Sequence, residues 1–157
     1  MVSGWWSVYR IGAATVDEVL AVGLLRELDD ELAFRYPDAP IHGIDGFQFS
    51  LGQGYFVVAH ILDEMIGCGA FRRLDTASVE IKRMFVRPAF RGRGIARAIL
   101  AALHAEARRR GYMSAVLETG QRQPEAIALY ESEGYERIDP FGPYVGIDIS
   151  VCFRKTL

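Results

Sequence analysis

The chain has few of the features that would place its 157 residues in a specialised class. It has only two cysteines, Cys68 and Cys152, with no CxxC spacing, and we expect two buried thiols rather than a disulfide. No apolar run approaches the roughly 20 residues that span a bilayer. The first residues, "MVSGWWSVYR", lack the basic start and apolar stretch of a secretory signal. The sequence therefore predicts a cytoplasmic protein that does not act at a membrane.

The overall composition is that of a soluble globular protein. Hydrophobic residues make up 50% of the chain and charged residues 24%. This length corresponds to one domain, residues 1–157, which is large enough to bury a core.

The distribution of charge says more than its total. A formal net charge of −2 argues against a nucleic-acid-binding protein. The segment 81–97 nevertheless has no acidic residue and six basic ones: Lys82, Arg83, Arg87, Arg91, Arg93 and Arg97. A local cluster of cations on an otherwise acidic chain suits a small anionic ligand better than a long polyanion.

Hydrophobic periodicity predicts helices placed among strands. Helices are expected at about Val16–Phe34, from Ile95 to just before Gly111, and from Pro124 to about Glu133. The predicted strands are "WWSVYRIG", "YFVVAHIL", "IGCGAFRRL", "SVEIKRMFV", "MSAVLET", "YERI" and a last strand that alternates from Ile147 to Arg154. The order β-α-β-β-β-α-β-α-β-β predicts an α/β domain with a mixed sheet.

A glycine-rich loop, "RGRGIA" at residues 91–96, lies between a predicted strand and a predicted helix. Free backbone N–H groups at a helix N-terminus bind phosphate oxygens, provided that no side chain blocks their approach. Gly92 and Gly94 leave that space, and Arg91 and Arg93 add charged donors. This pattern predicts a pyrophosphate site. The alternative is a glycine-rich turn whose arginines are solvated.

Two common phosphate-binding motifs do not fit this loop. A Walker A loop needs lysine after glycine, and neither Lys82 nor Lys155, the two lysines of the chain, follows a glycine. A dinucleotide fingerprint needs a third glycine, and Arg97 stands in its place.

The loop resembles that of the GNAT superfamily of N-acetyltransferases, whose pattern is (Gln/Arg)-x-x-Gly-x-(Gly/Ala). The segment "PEAIALYESEGYERI" is similar to the family's second motif, and the resemblance covers about Val79–Ile138. It implies that acetyl-coenzyme A is the cosubstrate and that its pyrophosphate is held by Arg91, Gly92, Arg93, Gly94, Ile95 and Ala96. One position departs from the pattern, because Gln123 stands where the family often has Asn, and Gln123 is therefore the expected coenzyme contact there.

The resemblance also implies the architecture around the coenzyme. It predicts a mixed, mostly antiparallel central sheet flanked by helices, with two strands splayed apart at the coenzyme site. The strand ending in Met84, Phe85 and Val86 would bulge away from the strand ending in Leu117–Thr119. Its free backbone would then pair with the pantetheine arm.

Acetyl transfer to an amine requires the neutral nitrogen, so a base must remove a proton. Glu80 matches the position of a carboxylate base in some members of the family, and Glu118 is the alternative. Tyr130 matches the family's tyrosine near the coenzyme sulfur, which acts as a proton donor. Without the resemblance, Glu80 could as well be a strand residue paired with a neighbour, and Tyr130 could as well be a core residue.

The implied function is transfer of an acetyl group to a primary amine of a small molecule or peptide, by direct attack. The alternative is a non-catalytic acyl-coenzyme A sensor or partner-binding domain. The three histidines show no ligand spacing, so no metal is expected. The sequence predicts no nucleic-acid partner and leaves a homodimer open. Aromatic candidates for the acceptor pocket are Trp5, Trp6, Tyr36, Phe47, Phe49 and Tyr144.

Overall fold

The computed structural model describes residues 8–39 and 52–157. Within these residues seven strands form one sheet, and four α-helices accompany it. The strands are β1 (Tyr9–Ala14), β2 (Gly54–Ile61), β3 (Glu64–Arg73), β4 (Ser78–Val86), β5 (Ser114–Gly120), β6 (Glu136–Ile138) and β7 (Ser150–Thr156). The helices are α1 (Val16–Ala21), α2 (Leu24–Arg35), α3 (Ile95–Arg109) and α4 (Pro124–Ser132).

The strand order across the sheet is β1-β2-β3-β4-β5-β7-β6. All neighbouring pairs are antiparallel except β4 and β5, which are parallel because α3 forms the crossover between them. The predicted fold class, a mixed and mostly antiparallel sheet with flanking helices, is confirmed.

The single helix expected at Val16–Phe34 is wrong, because two helices occupy that segment. Gly23 has φ +77°, a left-handed conformation that interrupts the helix between α1 and α2. Thr15 and Glu18 form a capping box at the start of α1. The break also turns Leu20 outward, where 54% of its surface is exposed.

The last strand begins later than its alternating pattern suggested. A 3₁₀ turn at Gly142–Tyr144 and the left-handed Gly146 precede it, so Ile147 lies outside β7. Cys152 and Phe153 are adjacent in sequence, so their side chains point to opposite faces of the sheet, and both are buried because both faces are covered at this point.

The two faces of the sheet carry separate cores. One face packs against α3 through residues that include Ile99 and Leu103, and the other packs against α1 and α2 through Val19 and Leu28. Cys68 belongs to the second core. Both cysteines are free and buried, as predicted.

A β-bulge in β4 places the end of this strand at the functional site. Cys68 of β3 pairs with Phe85 and Ala70 with Lys82, so Arg83 and Met84 both lie opposite Gly69. The extra residue changes which face each side chain meets: Met84 joins the core on the α3 face, and Phe85 the core on the α2 face. A Cβ at Gly69 would lie 2.6 Å from Met84 Sδ, which explains the glycine there.

Candidate active site

The parallel pair β4–β5 separates partway along its length. The strands pair from Ser78 to Ile81 and from Ser114 to Leu117, and they have no further paired residues beyond these. The expected splay is therefore confirmed, and it leaves one edge of β4 without a neighbouring strand beyond Ile81.

A cleft of about 450 Å³ opens at this splay. It brings together catalytic and coenzyme candidates from β4, the glycine loop and α4. The predicted site residues that line it are Glu80, Met84, Phe85, Val86, Arg91, Gly92, Gly94, Ile95, Ala96, Gln123 and Tyr130. Arg93 does not line the cleft; its guanidinium lies over the ring of Phe90, 5.6 Å from the centroid, and Phe90 is a lining residue.

The glycine loop has the geometry that close backbone approach requires. Gly92 and Gly94 both have φ +77°, and a Cβ at either would meet no atom within 4 Å. Gly94 is the N-cap of α3, so the first N–H groups of that helix lack intrahelical partners. An open cradle at a helix N-terminus on the wall of a cleft fits a pyrophosphate.

The basic segment is largely neutralised by carboxylates. Three of its arginines form ion pairs with α2, which the charge count did not anticipate: Arg83–Asp29 at 2.7 Å, Arg87–Glu27 at 3.0 Å and Arg91–Glu31 at 2.9 Å. Arg97 pairs with Glu133. The strongly cationic surface expected here is therefore absent from the described residues, and the backbone of the loop is left as the main anion-binding feature.

Arg91 contacts another predicted coenzyme residue. Its Nε donates to the carbonyl of Val86 at 2.7 Å, and its guanidinium lies over the ring of Phe85 at 5.5 Å. Together with the Glu31 pair, these contacts commit most of the guanidinium to the protein. Arg91 therefore ties the glycine loop to the end of β4.

Glu80 is fully buried and its carboxylate is extensively bonded. Oε2 accepts from Arg72 at 2.6 Å, and Oε1 accepts from the Tyr144 hydroxyl at 2.7 Å. Lys82 Nζ lies 3.6 Å from Oε1. Each oxygen of this carboxylate therefore already accepts a hydrogen bond from the protein. The geometry matches the paired strand residue that was the alternative interpretation.

Glu118 lines the same cleft with fewer partners. Its Oε1 accepts from the Ser150 hydroxyl at 2.8 Å. Burial raises the pKa of Glu118, while the Ser150 hydrogen bond and Lys82 partly offset that effect. A carboxyl group whose pKa moves towards neutrality is suited to accept a proton near physiological pH.

Tyr130 projects from α4 and is buried, with its ring 5.7 Å from that of Tyr135 in an edge-on contact. Burial raises the pKa of Tyr130, and the charge of Glu118 adds to the increase. Its hydroxyl has no hydrogen-bond partner in the described part of the chain. A phenol that stays protonated, with a free O–H at a cleft, can serve as a proton donor.

Gln123 is the N-cap of α4 and accepts from the Tyr36 hydroxyl at 3.3 Å. The same hydroxyl accepts from the backbone N–H of Arg122 at 3.0 Å, and Tyr36 packs so closely on Gly120 that a Cβ there would overlap it. Tyr36 thus fixes the loop between β5 and α4.

Sequence reasoning missed several partners of the site residues and of the basic segment. Ser150 and the acidic residues of α2 gave no motif, although Glu27, Asp29 and Glu31 recur at every second position. Of the aromatic acceptor-pocket candidates, Tyr36 and Tyr144 line the cleft. The others, Trp5, Trp6, Phe47 and Phe49, lie outside the described residues.

Comparison with known proteins agrees with this geometry. Residues 52–137 match the acetyltransferase (GNAT) domain family, which is more than half of the chain. The chain belongs to the GNAT family. It is accordingly an N-acetyltransferase by homology, which favours the enzyme over the non-catalytic sensor.

Individual GNAT proteins are similar over nearly the full length. An IAA acetyltransferase of Azospirillum brasilense is 38% identical over 87% of this chain and 90% of its own. A structure from Klebsiella pneumoniae, assigned as an acyl-CoA N-acyltransferase, has 29% identity and a TM-score of 0.80, covering 96% of this chain and 99% of its own. A GNAT acetyltransferase of Elizabethkingia anophelis with acetyl-CoA bound shares the fold, with 20% identity, a TM-score of 0.67 and coverage of 95% and 98%.

Proposed function

We propose that this GNAT protein uses acetyl-coenzyme A to acetylate a primary amine of a small molecule or peptide, by direct attack of the amine on the thioester. The observation that carries the proposal is one cleft in which an open glycine loop, a partly free carboxylate and a buried phenol meet. The acetyl-CoA complex of the Elizabethkingia protein, which has the same fold, supports the choice of cosubstrate.

The backbone of this chain would hold the coenzyme. The N–H groups from Gly92 to Ala96 lie at the N-terminus of α3, where the helix dipole favours an anion. The free edge of β4 from Met84 to Val86 offers backbone groups to the pantetheine amides. Gln123 at the start of α4 lines the same cleft.

Bound acetyl-coenzyme A supplies the acetyl thioester. An alkyl amine with a pKa of about 10.4 is almost entirely protonated at neutral pH and must lose a proton before it attacks. Glu118 is the base that the geometry favours, because Glu80 is held by Arg72, Lys82 and Tyr144. In this proposal Glu80 holds Arg72 and Tyr144 in place, and Glu80 as the base, which the resemblance implied, stays the alternative prediction.

Tyr130 is the proposed proton donor to the departing thiolate. Its raised pKa keeps it protonated at neutral pH. A proton-transfer group of this kind contributes about a hundredfold to the rate.

The remaining sequence-based expectations belong to the same proposal. We propose one acetyltransferase domain over residues 1–157, acting in the cytoplasm without metal, and a homodimer is left open. In the described part of the chain no helix is long and apolar enough to cross a membrane.

The proposal is tested by incubating the protein with acetyl-coenzyme A and a panel of amines, amino acids, peptides and cell lysate. Thiol release and the mass of the product report acetyl transfer. We expect saturable turnover on at least one amine, with a mass gain of one acetyl group. Coenzyme binding without turnover on any acceptor would instead indicate the sensor.

Two tyrosine variants, one in the cleft and one away from it, test the role of Tyr130. Tyr130→Phe should lower the single-turnover rate about a hundredfold. Tyr112→Phe should leave it unchanged, because Tyr112 packs near Phe71 away from the cleft. Equal rates in the two variants would remove Tyr130 from the mechanism.

A further inference from the structure

Arg83 occupies an unusual backbone conformation at the centre of the β4 bulge. Its φ of +59° is in the left-handed region, which is unfavourable for a residue other than glycine. In the described residues only Leu62, in the turn between β2 and β3, shares this property among the non-glycine residues, and Leu62 is 84% exposed. Glycine would fit the bulge without that cost, so the arginine side chain needs its own explanation.

The side chain is directed to α2 and not to solvent. Nη2 donates to Asp29 Oδ1 at 2.7 Å and to the Leu25 carbonyl at 3.4 Å, and only 6% of the side chain is exposed. The Arg83 carbonyl in turn accepts from Cys68 Sγ at 3.5 Å. The bulge is thus tied to a helix more than fifty residues earlier in the chain as well as to β3.

This arrangement has a second unfavourable feature besides the backbone conformation of Arg83. Arg83 Nε is buried and has no hydrogen-bond partner among residues 8–39 and 52–157, which leaves one donor of a buried cation unsatisfied there. A contact that combines backbone strain with an unsatisfied donor is common where a function fixes the geometry. Arg83 lines the cleft immediately before the backbone segment Met84–Val86.

We infer that the Arg83–Asp29 pair is a positioning device that locks the β4 bulge to α2 and thereby sets the backbone that receives the pantetheine arm. The inference rests on the proposed coenzyme site. It predicts that the pair controls binding of the pantetheine end of the coenzyme, while the glycine loop binds the nucleotide end independently.

The test uses Arg83→Gly, which keeps the left-handed backbone accessible but removes the ion pair. We expect the affinity for coenzyme A, measured by calorimetry, to fall about tenfold, with KM for acetyl-coenzyme A rising in parallel. The affinity for adenosine 3′,5′-bisphosphate, which lacks the pantetheine arm, should stay unchanged. Arg83→Lys should recover part of the lost affinity through Asp29.

Leu62→Gly is the matched control, because it relieves the same backbone strain at an exposed turn away from the cleft. It should leave the affinities for both ligands unchanged. If Arg83→Gly fails to fold, Asp29→Asn tests the same pair from α2, with the same expected split between the two ligands.

Two results would overturn the inference. The first is coenzyme A affinity equal to wild type in Arg83→Gly or Asp29→Asn, and the second is an equal loss of affinity for both ligands, which indicates general loosening. Failure of the wild-type protein to bind coenzyme A at all is a different outcome, since it refutes the proposed function and the inference falls with it.

Discussion

At the scale of single residues, two of the carboxylates that line the cleft, Glu80 and Glu118, lie in contrasting surroundings. Glu80 is fully buried and contacts two cations and a tyrosine hydroxyl, whereas Glu118 is half-buried and accepts from the Ser150 hydroxyl. Environments that differ in this way give two acids in one site different roles. The contrast favours Glu118 for proton transfer and Glu80 for holding Arg72 and Tyr144 in place.

The two carboxylates can be separated by their pH–rate profiles. Glu118→Gln should lower the rate and remove the rising acid limb, because the group that must lose a proton is gone. Glu80→Gln should keep that limb and lower the thermal stability instead. Its neutral amide removes the negative charge opposite Arg72 and Lys82, at a cost of about 3 kcal/mol. Single-turnover rates across pH 5–9 and thermal melts provide both measurements.

Ser150→Ala sharpens this prediction. The Ser150 hydroxyl lowers the pKa of Glu118, so its removal should raise that pKa and move the acid limb to higher pH. If the acid limb of the pH–rate profile moves in Ser150→Ala and persists in Glu80→Gln, then Glu118 is the base. A limb that is lost in Glu80→Gln would return the catalytic role to Glu80.

At the scale of the elements, the sequence predicted nearly the whole order of strands and helices. It failed at Gly23, because apolar spacing continues across the left-handed break between α1 and α2. The bulge did leave a signal in "SVEIKRMFV": apolar residues alternate at Val79 and Ile81 and then resume at Met84, one position out of phase. Periodicity alone could not tell such a shift from the end of a strand.

The side-chain contacts around the cleft were harder to predict from the sequence than the helices and strands. The glycine loop follows from local conformation, since two left-handed residues at a helix start need glycine. The pairs between α2 and the basic segment join residues more than fifty positions apart, so they depend on how the helix crosses the sheet. Net charge along the chain therefore overestimated the positive charge presented to a ligand.

A substitution in the glycine loop should weaken coenzyme binding because of its position in the cradle, and not because of the backbone strain that it introduces. Gly94→Ala puts a methyl group into the open cradle at the start of α3 and should reduce coenzyme A affinity at least tenfold. Gly111→Ala is the control at the other end of α3. There φ is +87° and the space for a Cβ is equally open, so a comparable loss of stability is expected without loss of binding. Equal affinities in the two variants, by calorimetry, would contradict the cradle.

At the scale of the whole molecule, a buried histidine links α3 to the residue before β6 and, through that residue, to α4. His104 on α3 lies 2.6 Å from the hydroxyl of Tyr135, the residue just before β6, and Tyr135 packs against Tyr130 of α4. Burial lowers the pKa of His104 to about 4, with further contributions from Lys155 and Arg108. The neutral imidazole is therefore part of the folded core.

This histidine makes folding sensitive to mild acid. Below its ordinary pKa of 6.5 the unfolded chain binds a proton that folded His104 does not bind until about pH 4. Stability from this site is thus complete above pH 6.5 and is lost as the pH falls towards 4, by up to roughly 3 kcal/mol. His104→Gln cannot take up that proton but can still bond to Tyr135. Urea unfolding at several pH values from 7 to 4 should show the wild type losing more stability than this variant, and parallel losses would show that His104 takes up its proton equally in both states.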